Sequence, residues 1–141
     1  MTTIRSKCIA HVGIAVDDID AACRLWCDTF GGRLADRKLM PAQKVEIAFI
    51  RFGNGAMIEL LSATAPDSPV GRFLAQHGPG LHHVCLRVDD IEARLAELAK
   101  DGFALIDKLP RPGAENDRIA FLHPSGTNGV LIELSERPGE E

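Results

Sequence analysis

Two histidine-glutamate pairs carry the chemistry of this sequence. His11 heads the phrase HVGIAVDDIDA and Glu59 lies in MIELL, while His83 heads HVCLRVDDIEA and Glu133 lies in VLIELS. A glutamate in the middle of an apolar run is costly to bury unpaired, and here that placement occurs twice. Two imidazole nitrogens and two carboxylate oxygens suit an octahedral first-row divalent ion, with two positions left open for water or a chelating substrate. The four residues are far apart in sequence, so their spacing is less specific than a compact H-E-x-x-H pattern. The repetition supplies the specificity.

The two histidine phrases are 72 residues apart, and at that offset the stretches from His11 to Ala21 and from His83 to Ala93 agree at seven of eleven positions. EIAFI at Glu46–Ile50 falls opposite RIAFL at Arg118–Leu122 with the same offset, and IEL recurs at Ile58–Leu60 and Ile132–Leu134. Two copies of a unit near half the chain length indicate a duplicated module rather than a solenoid, which needs three or more shorter units. One position breaks the symmetry: Glu46 in the first half stands opposite Arg118 in the second. Chemistry on an asymmetric substrate needs such a difference. Partial burial beside Ala48 and Ile50 would suit Glu46 to act as a base.

The elements that must position these residues follow from periodicity. His11, Gly13 and Ala15 alternate with Val12, Ile14 and Val16, as on a strand, which sets the histidine on the face opposite the aliphatic side chains. Asp17-Asp18 can cap a helix carrying Ile19, Ala22, Cys23, Trp26 and Phe30, ended by Gly31-Gly32; Asp89-Asp90 precedes a second helix with Ile91, Leu95 and Leu98, ended by Gly102. Strands are expected at 33–40, 45–52 and 56–62, and at 103–107, 117–123 and 129–135. Each half then reads strand, helix, strand, strand, strand. Module 1 covers about 7–63, a linker with a short helix opening at Ser68-Pro69 covers 64–80, and module 2 covers about 81–135. KLPRPGAEND reads as a Pro/Gly-rich loop, and 136–141 as a polar tail. The expectation is one domain over 1–141.

Composition narrows the class. A hydrophobic fraction of 45%, a charged fraction of 26% and no apolar run near 20 residues describe a globular protein that does not span a membrane. The N-terminal MTTIRSK lacks a secretory pattern, which predicts a cytoplasmic protein. A net charge of -4 without a basic run speaks against a nucleic-acid partner. Cys8, Cys23, Cys27 and Cys85 form no C-x-x-C pair and read as free thiols.

The ordered phrases HVGIAV, VEIAFI, IELLSATAPDSPVGRFL, GLHHVCLRVDDIEA, PRPGA, IAFLHP and GVLIEL resemble the methylmalonyl-CoA epimerase family of the vicinal oxygen chelate superfamily, over nearly the whole chain. The resemblance implies an α+β fold of two tandem βαβββ modules forming an open eight-stranded, cup-shaped barrel. It implies a divalent metal (Co, Ni, Mn, Zn or Mg) on His11, Glu59, His83 and Glu133, and a homodimer. The implied reaction is epimerisation of the α-carbon of methylmalonyl-CoA or a related 2-substituted malonyl-CoA through an enolate. Glu46 is expected as the first base, and the resemblance makes Glu133 the second. Arg37, Lys38, Arg51, Arg72, Lys108, Arg111 and Arg118 are candidates to meet the phosphates of an acyl-CoA. His82 falls outside the repeat and reads as a structural or peripheral residue. Many members of the family carry lysine where Ser125 stands and histidine where Glu115 stands, which leaves the acyl group open. The rival activities on this scaffold are a glyoxalase-like lactoylglutathione lyase acting on a glutathione hemithioacetal and a metal-free small-molecule binding module.

Overall fold

The acidic pairs open helices as their positions imply. In a computed structural model, which describes residues 3–139, the Asp18 carboxylate accepts a hydrogen bond from the Ala21 amide at 3.0 Å, and Asp90 accepts one from the Ala93 amide at 3.3 Å. Each satisfies an amide that the first helical turn leaves without a partner. The helices that follow are α1 (Ile19–Arg24), continued by a π-helical turn over Leu25–Thr29, and α3 (Ile91–Lys100). Between them α2 (Pro69–His77) starts at Ser68, whose hydroxyl accepts from the Gly71 amide at 2.9 Å. Proline at its first position gives up an amide that had no helical partner.

The described residues fall into two compact units, 11–82 and 83–139 together with 3–10. In the first, β1 (Cys8–Ala15), β2 (Arg33–Met40), β3 (Val45–Arg51) and β4 (Met57–Ala63) stand in the order β2-β3-β4-β1, with β1 parallel to β4 and the other pairs antiparallel. In the second, β5 (Gly80–Arg87), β6 (Arg111–Pro112), β7 (Arg118–Leu122) and β8 (Ile132–Glu136) stand in the order β6-β7-β8-β5, with β5 parallel to β8. The duplicated order of strand, helix and three strands is present in both.

Each helix packs on one face of its sheet and so fixes which alternate residues belong to the other. Ile19 and Cys23 of α1 bury against Ala48, Ile50 and Leu60, with Ile14 and Val16 beside them. Ile91, Leu95 and Leu98 of α3 bury against Ala120, Leu122 and Leu134. The aliphatic face of β1 is therefore the helix face, and His11 belongs to the other, as its alternation implies.

Two expectations are corrected. Phe103–Asp107 is not a strand: Leu105 makes a lone bridge to Leu122, and the Asp107 carboxylate accepts the Phe121 amide at 2.9 Å where a ladder bond would otherwise run. The eighth strand is instead β6, inside the stretch expected as a loop. Prolines at 110 and 112 supply no amide to a ladder, which keeps that strand to two residues. The tail is also shorter than expected, since Glu136 ends β8 and Arg137 is tied to Glu115 at 2.8 Å. Residues 140 and 141, the end of the expected tail, lie outside the described residues.

Candidate metal centre

In the first unit, parallel pairing of β1 with β4 sets Gly13 opposite Glu59, one alternation beyond His11 on the same face. The His11 Nε2 lies 3.2 Å from the Glu59 Oε2, and both residues are buried, at 3% and 6% exposure. In the second unit Cys85 takes the place of Gly13, opposite Glu133. The His83 Nε2 lies 3.2 Å from the Glu133 Oε1, at 4% and 6% exposure. The duplication has copied a three-dimensional arrangement as well as a phrase.

A nitrogen and an oxygen bound side by side on one octahedral ion, each about 2.1 Å from it, lie about 3.0 Å apart. The two pairs have that separation and the donor types that first-row divalent ions take, so the residues fit a metal. Aromatic rings flank both. Phe49 pairs with Glu59 across β3 and β4, and Phe121 with Glu133 across β7 and β8. The Phe121 ring stands edge-on to His83 at 5.7 Å, which limits the tilt of the imidazole.

Glu46 is not brought to this face. Phe49 is the residue opposite Glu59, and Glu46, three positions away, has the other parity and points with Ala48 and Ile50 toward α1. There Arg37 donates to its carboxylate from Nε at 3.1 Å and Nη2 at 2.8 Å, and to Asp20 of α1 from Nη1 at 2.6 Å. The repeat explains the arrangement. Glu92 of α3 is the duplicate of Asp20, and it is bonded to Arg118, which also pairs with Glu136 at 3.7 Å. In each unit an arginine on the sheet bridges the acid in the first helical turn to a second carboxylate. In the first unit that arginine sits on β2, and the position of Arg118 is taken by an acid. The break in symmetry that singled out Glu46 coincides with an ion-pair swap on the helix face. Hydrogen bonding to Asp20 and to Glu46 raises the Arg37 pKa, and Arg37 in turn lowers that of Asp20.

The candidate phosphate-binding cations are sorted by the same parity. Arg37 and Arg118 are committed to the helix face. Lys38 stands over the Phe49 ring at 5.9 Å and Arg111 over the Phe121 ring at 5.5 Å, on the faces that hold the histidines. His82 packs edge-on against Phe73 at 4.9 Å.

One feature of the histidine face was not legible in the sequence. Arg87, Asp117 and Ser135 are buried polar residues in the second unit: the Arg87 Nη1 donates to the Ser135 hydroxyl at 2.8 Å, and that hydroxyl donates to the Asp117 carboxylate at 2.5 Å. Arg87 and Ser135 are register partners, each two positions beyond Cys85 and Glu133. Alternation from His83 and Glu133 would have placed both on this face, and only the buried pairing marks them as a network.

A family model described as the Glyoxalase/Bleomycin resistance protein/Dioxygenase superfamily matches residues 10–121. The chain is 35% identical over 128 residues to an ethylmalonyl-CoA/methylmalonyl-CoA epimerase of Cereibacter sphaeroides, covering 89% of this chain and 95% of that protein. It is 35% identical over 127 residues to the mitochondrial methylmalonyl-CoA epimerase of Mus musculus, covering 89% of this chain and 71% of that protein. The chain belongs to the methylmalonyl-CoA epimerase family of that superfamily. A solved methylmalonyl-CoA epimerase of Streptomyces coelicolor, in complex with 2-nitronate-propionyl-CoA, superimposes with a TM-score of 0.91 at 32% identity, covering 97% of this chain and 99% of that one. That likeness shows the fold class expected from the sequence. The family places the chain among the epimerases, a class of isomerases. No helix among the described residues is long and apolar enough to cross a membrane.

Proposed function

We propose that the protein is a metal-dependent epimerase that inverts the α-carbon of methylmalonyl-CoA or a closely related 2-substituted malonyl-CoA. The observation that carries this reading is the matched geometry of the two buried pairs, His11 with Glu59 and His83 with Glu133, each at 3.2 Å. His11, Glu59, His83 and Glu133 are the residues that would hold one divalent ion, a set supported by the duplicated sequence. Cobalt, nickel, manganese, zinc and magnesium all suit parts of that donor set, and availability decides among them. A bound divalent ion would supply Lewis-acid neutralisation of the negative charge that develops on the substrate's thioester oxygen as the α-proton leaves.

The chain's own residues do the rest. Burial of the pairs keeps competing water from the reacting carbon and strengthens every charge interaction there. Glu133 takes a proton from one face of the α-carbon or returns one to it. Inversion needs a second acid/base group on the opposite face; we do not assign it to Glu46, whose carboxylate is held by Arg37 on the helix face. Lys38 and Arg111 suit the phosphates of coenzyme A, since both stand on the histidine faces. The reading includes a homodimer, which the family resemblance implies, and a cytoplasmic location.

The test combines metal content with isotope exchange. Protein incubated with cobalt or nickel and freed of excess is expected to retain a stoichiometric ion, and in heavy water it should wash deuterium into the α-position of methylmalonyl-CoA while inverting it. Metal-loaded protein that leaves this substrate unlabelled but turns over a glutathione hemithioacetal would replace the epimerase with a lyase. Absence of bound metal would remove both.

A further inference from the structure

The geometry points to Arg87 as the residue that receives the free carboxylate of the substrate's acyl group, and so selects a dicarboxylic acyl-CoA over a neutral one. The inference rests on the epimerase reading and names the substrate class of the same site.

The duplication is least faithful where this residue stands. At the offset of 72, Ala15 is the duplicate of Arg87 and Val45 that of Asp117; at the offset of 74 set by the repeated IEL, Leu61 is the duplicate of Ser135. In the first unit Ala15, Val45 and Leu61 are buried apolar residues, and Ala15 and Leu61 are register partners. In the second unit Arg87 and Ser135 hold the same register, and they are buried together with Asp117. An apolar contact in one module is a charged network in the other. Packing alone does not call for the change, since apolar side chains fill the same positions in the first unit.

A buried guanidinium is costly unless a carboxylate or a full set of acceptors meets it. Arg87 is 6% exposed, yet among the described residues its side chain makes one hydrogen bond, from Nη1 to the neutral Ser135 hydroxyl at 2.8 Å, and no ion pair. That hydroxyl donates in turn to Asp117 at 2.5 Å, and the other oxygen of Asp117 receives the Glu115 amide at 3.2 Å. Asp117 therefore balances the charge at one remove and fixes the direction of the guanidinium without occupying it. The rest of the guanidinium is not sealed in the protein. Among the described residues, the side-chain atoms that are both buried and unpartnered include Arg94 Nε and Arg137 Nε but none of Arg87.

Alternation along β5 and β8 sets Arg87 on the face of His83, and Ser135 on that of Glu133. One alternation, about 6–7 Å, separates the Arg87–Ser135 row from the Cys85–Glu133 row. A carboxylate on the α-carbon of a thioester held at the Glu133 row extends toward the next. The planar guanidinium pairs with a carboxylate through parallel hydrogen bonds that a neutral acyl group cannot accept.

The deciding experiment titrates metal-loaded wild type, Arg87→Met and Arg87→Gln calorimetrically with methylmalonyl-CoA and with propionyl-CoA, the same thioester without the carboxylate. Both substitutions are expected to weaken methylmalonyl-CoA binding by about 10-fold or more, the loss of a hydrogen bond between charged groups, and to leave propionyl-CoA within about threefold and metal content unchanged. Arg87→Gln can still donate to Ser135 and is the reporter should Arg87→Met fail to fold. A purely structural role would weaken both thioesters alike. That result, or methylmalonyl-CoA binding within about threefold of wild type in a folded variant, overturns the assignment, while deuterium exchange by the wild type keeps the epimerase reading standing. A wild type that shows the selectivity, loses it in the variants, and neither exchanges nor inverts methylmalonyl-CoA supports Arg87 as the carboxylate receptor and overturns the epimerase.

Discussion

Glu46→Gln is expected to leave the chemistry almost intact, although Glu46 is the residue that the repeat most clearly sets apart. The substitution removes one charge from the Arg37 bridge. The paired side chains are 33% and 31% exposed, so the interaction is largely screened and contributes about 0.2–1 kcal/mol. The amide that replaces the carboxylate can still accept one of the two arginine hydrogen bonds, which puts the loss near the lower end of that range. In a domain of this size that corresponds to a fall in melting temperature of about 1–2 °C. Proton exchange and inversion should stay within about threefold of wild type, because the side chain points toward α1 while Glu59 occupies the other face, whereas loss of a true acid/base group costs about 10²–10⁴-fold. Thermal melting and deuterium incorporation into methylmalonyl-CoA measure the two effects on one sample. A folded, metal-loaded Glu46→Gln protein slowed by 100-fold or more would refute the face assignment and return Glu46 to the mechanism.

Cobalt or nickel at about 100 times its dissociation constant should stabilise the protein by about 2.7 kcal/mol by mass action; the rise in melting temperature should vanish with a chelator and in His11→Ala or His83→Ala. Ser135→Ala removes the hydroxyl shared by Arg87 and Asp117 and should cost about 1–3 kcal/mol in denaturant titration. Burial raises the Cys23 thiol pKa and Cys85 is fully covered, so a thiol reagent at neutral pH should modify exposed Cys8 in the native protein and reach Cys23 and Cys85 only on unfolding. The Lys44 ammonium holds the Asp67 carboxylate below its usual range. Its folded pKa is depressed, so its contribution is present above the unfolded value of about 3.9 and is lost as pH falls through the folded one. Melting curves of Asp67→Asn should therefore differ slightly from wild type at pH 6 and converge with it in strong acid.

Much of the protein can be read without coordinates because duplication makes the sequence its own comparison. The offset of 72 residues identifies the modules, alternation places His11 apart from Val12, Ile14 and Val16, and repeated IEL marks both glutamates. Helix starts are legible because a cap is a local interaction between neighbours, as Asp18 with Ala21 and Asp90 with Ala93 show. The short β6 was missed because two prolines mask a strand that exists only through its partner, β7.

The case of Glu46 shows where local reading ends. Alternation correctly grouped it with Ala48 and Ile50, but parity along one strand does not say which parity of the next strand shares its face. Register across the sheet says so, through Phe49 opposite Glu59, and register is a long-range property. The sequence by itself determined the two modules, their helices and the residue types able to hold a metal, because each is written locally or written twice. Only the tertiary structure decided that Glu46 belongs to an ion-pair bridge on the helix face and that Glu115 is largely covered, in a turn. Burial of a charge depends on partners distant in the chain, here Arg137 for the carboxylate, and Asp117, Ser135 and Arg87 for the turn that carries it.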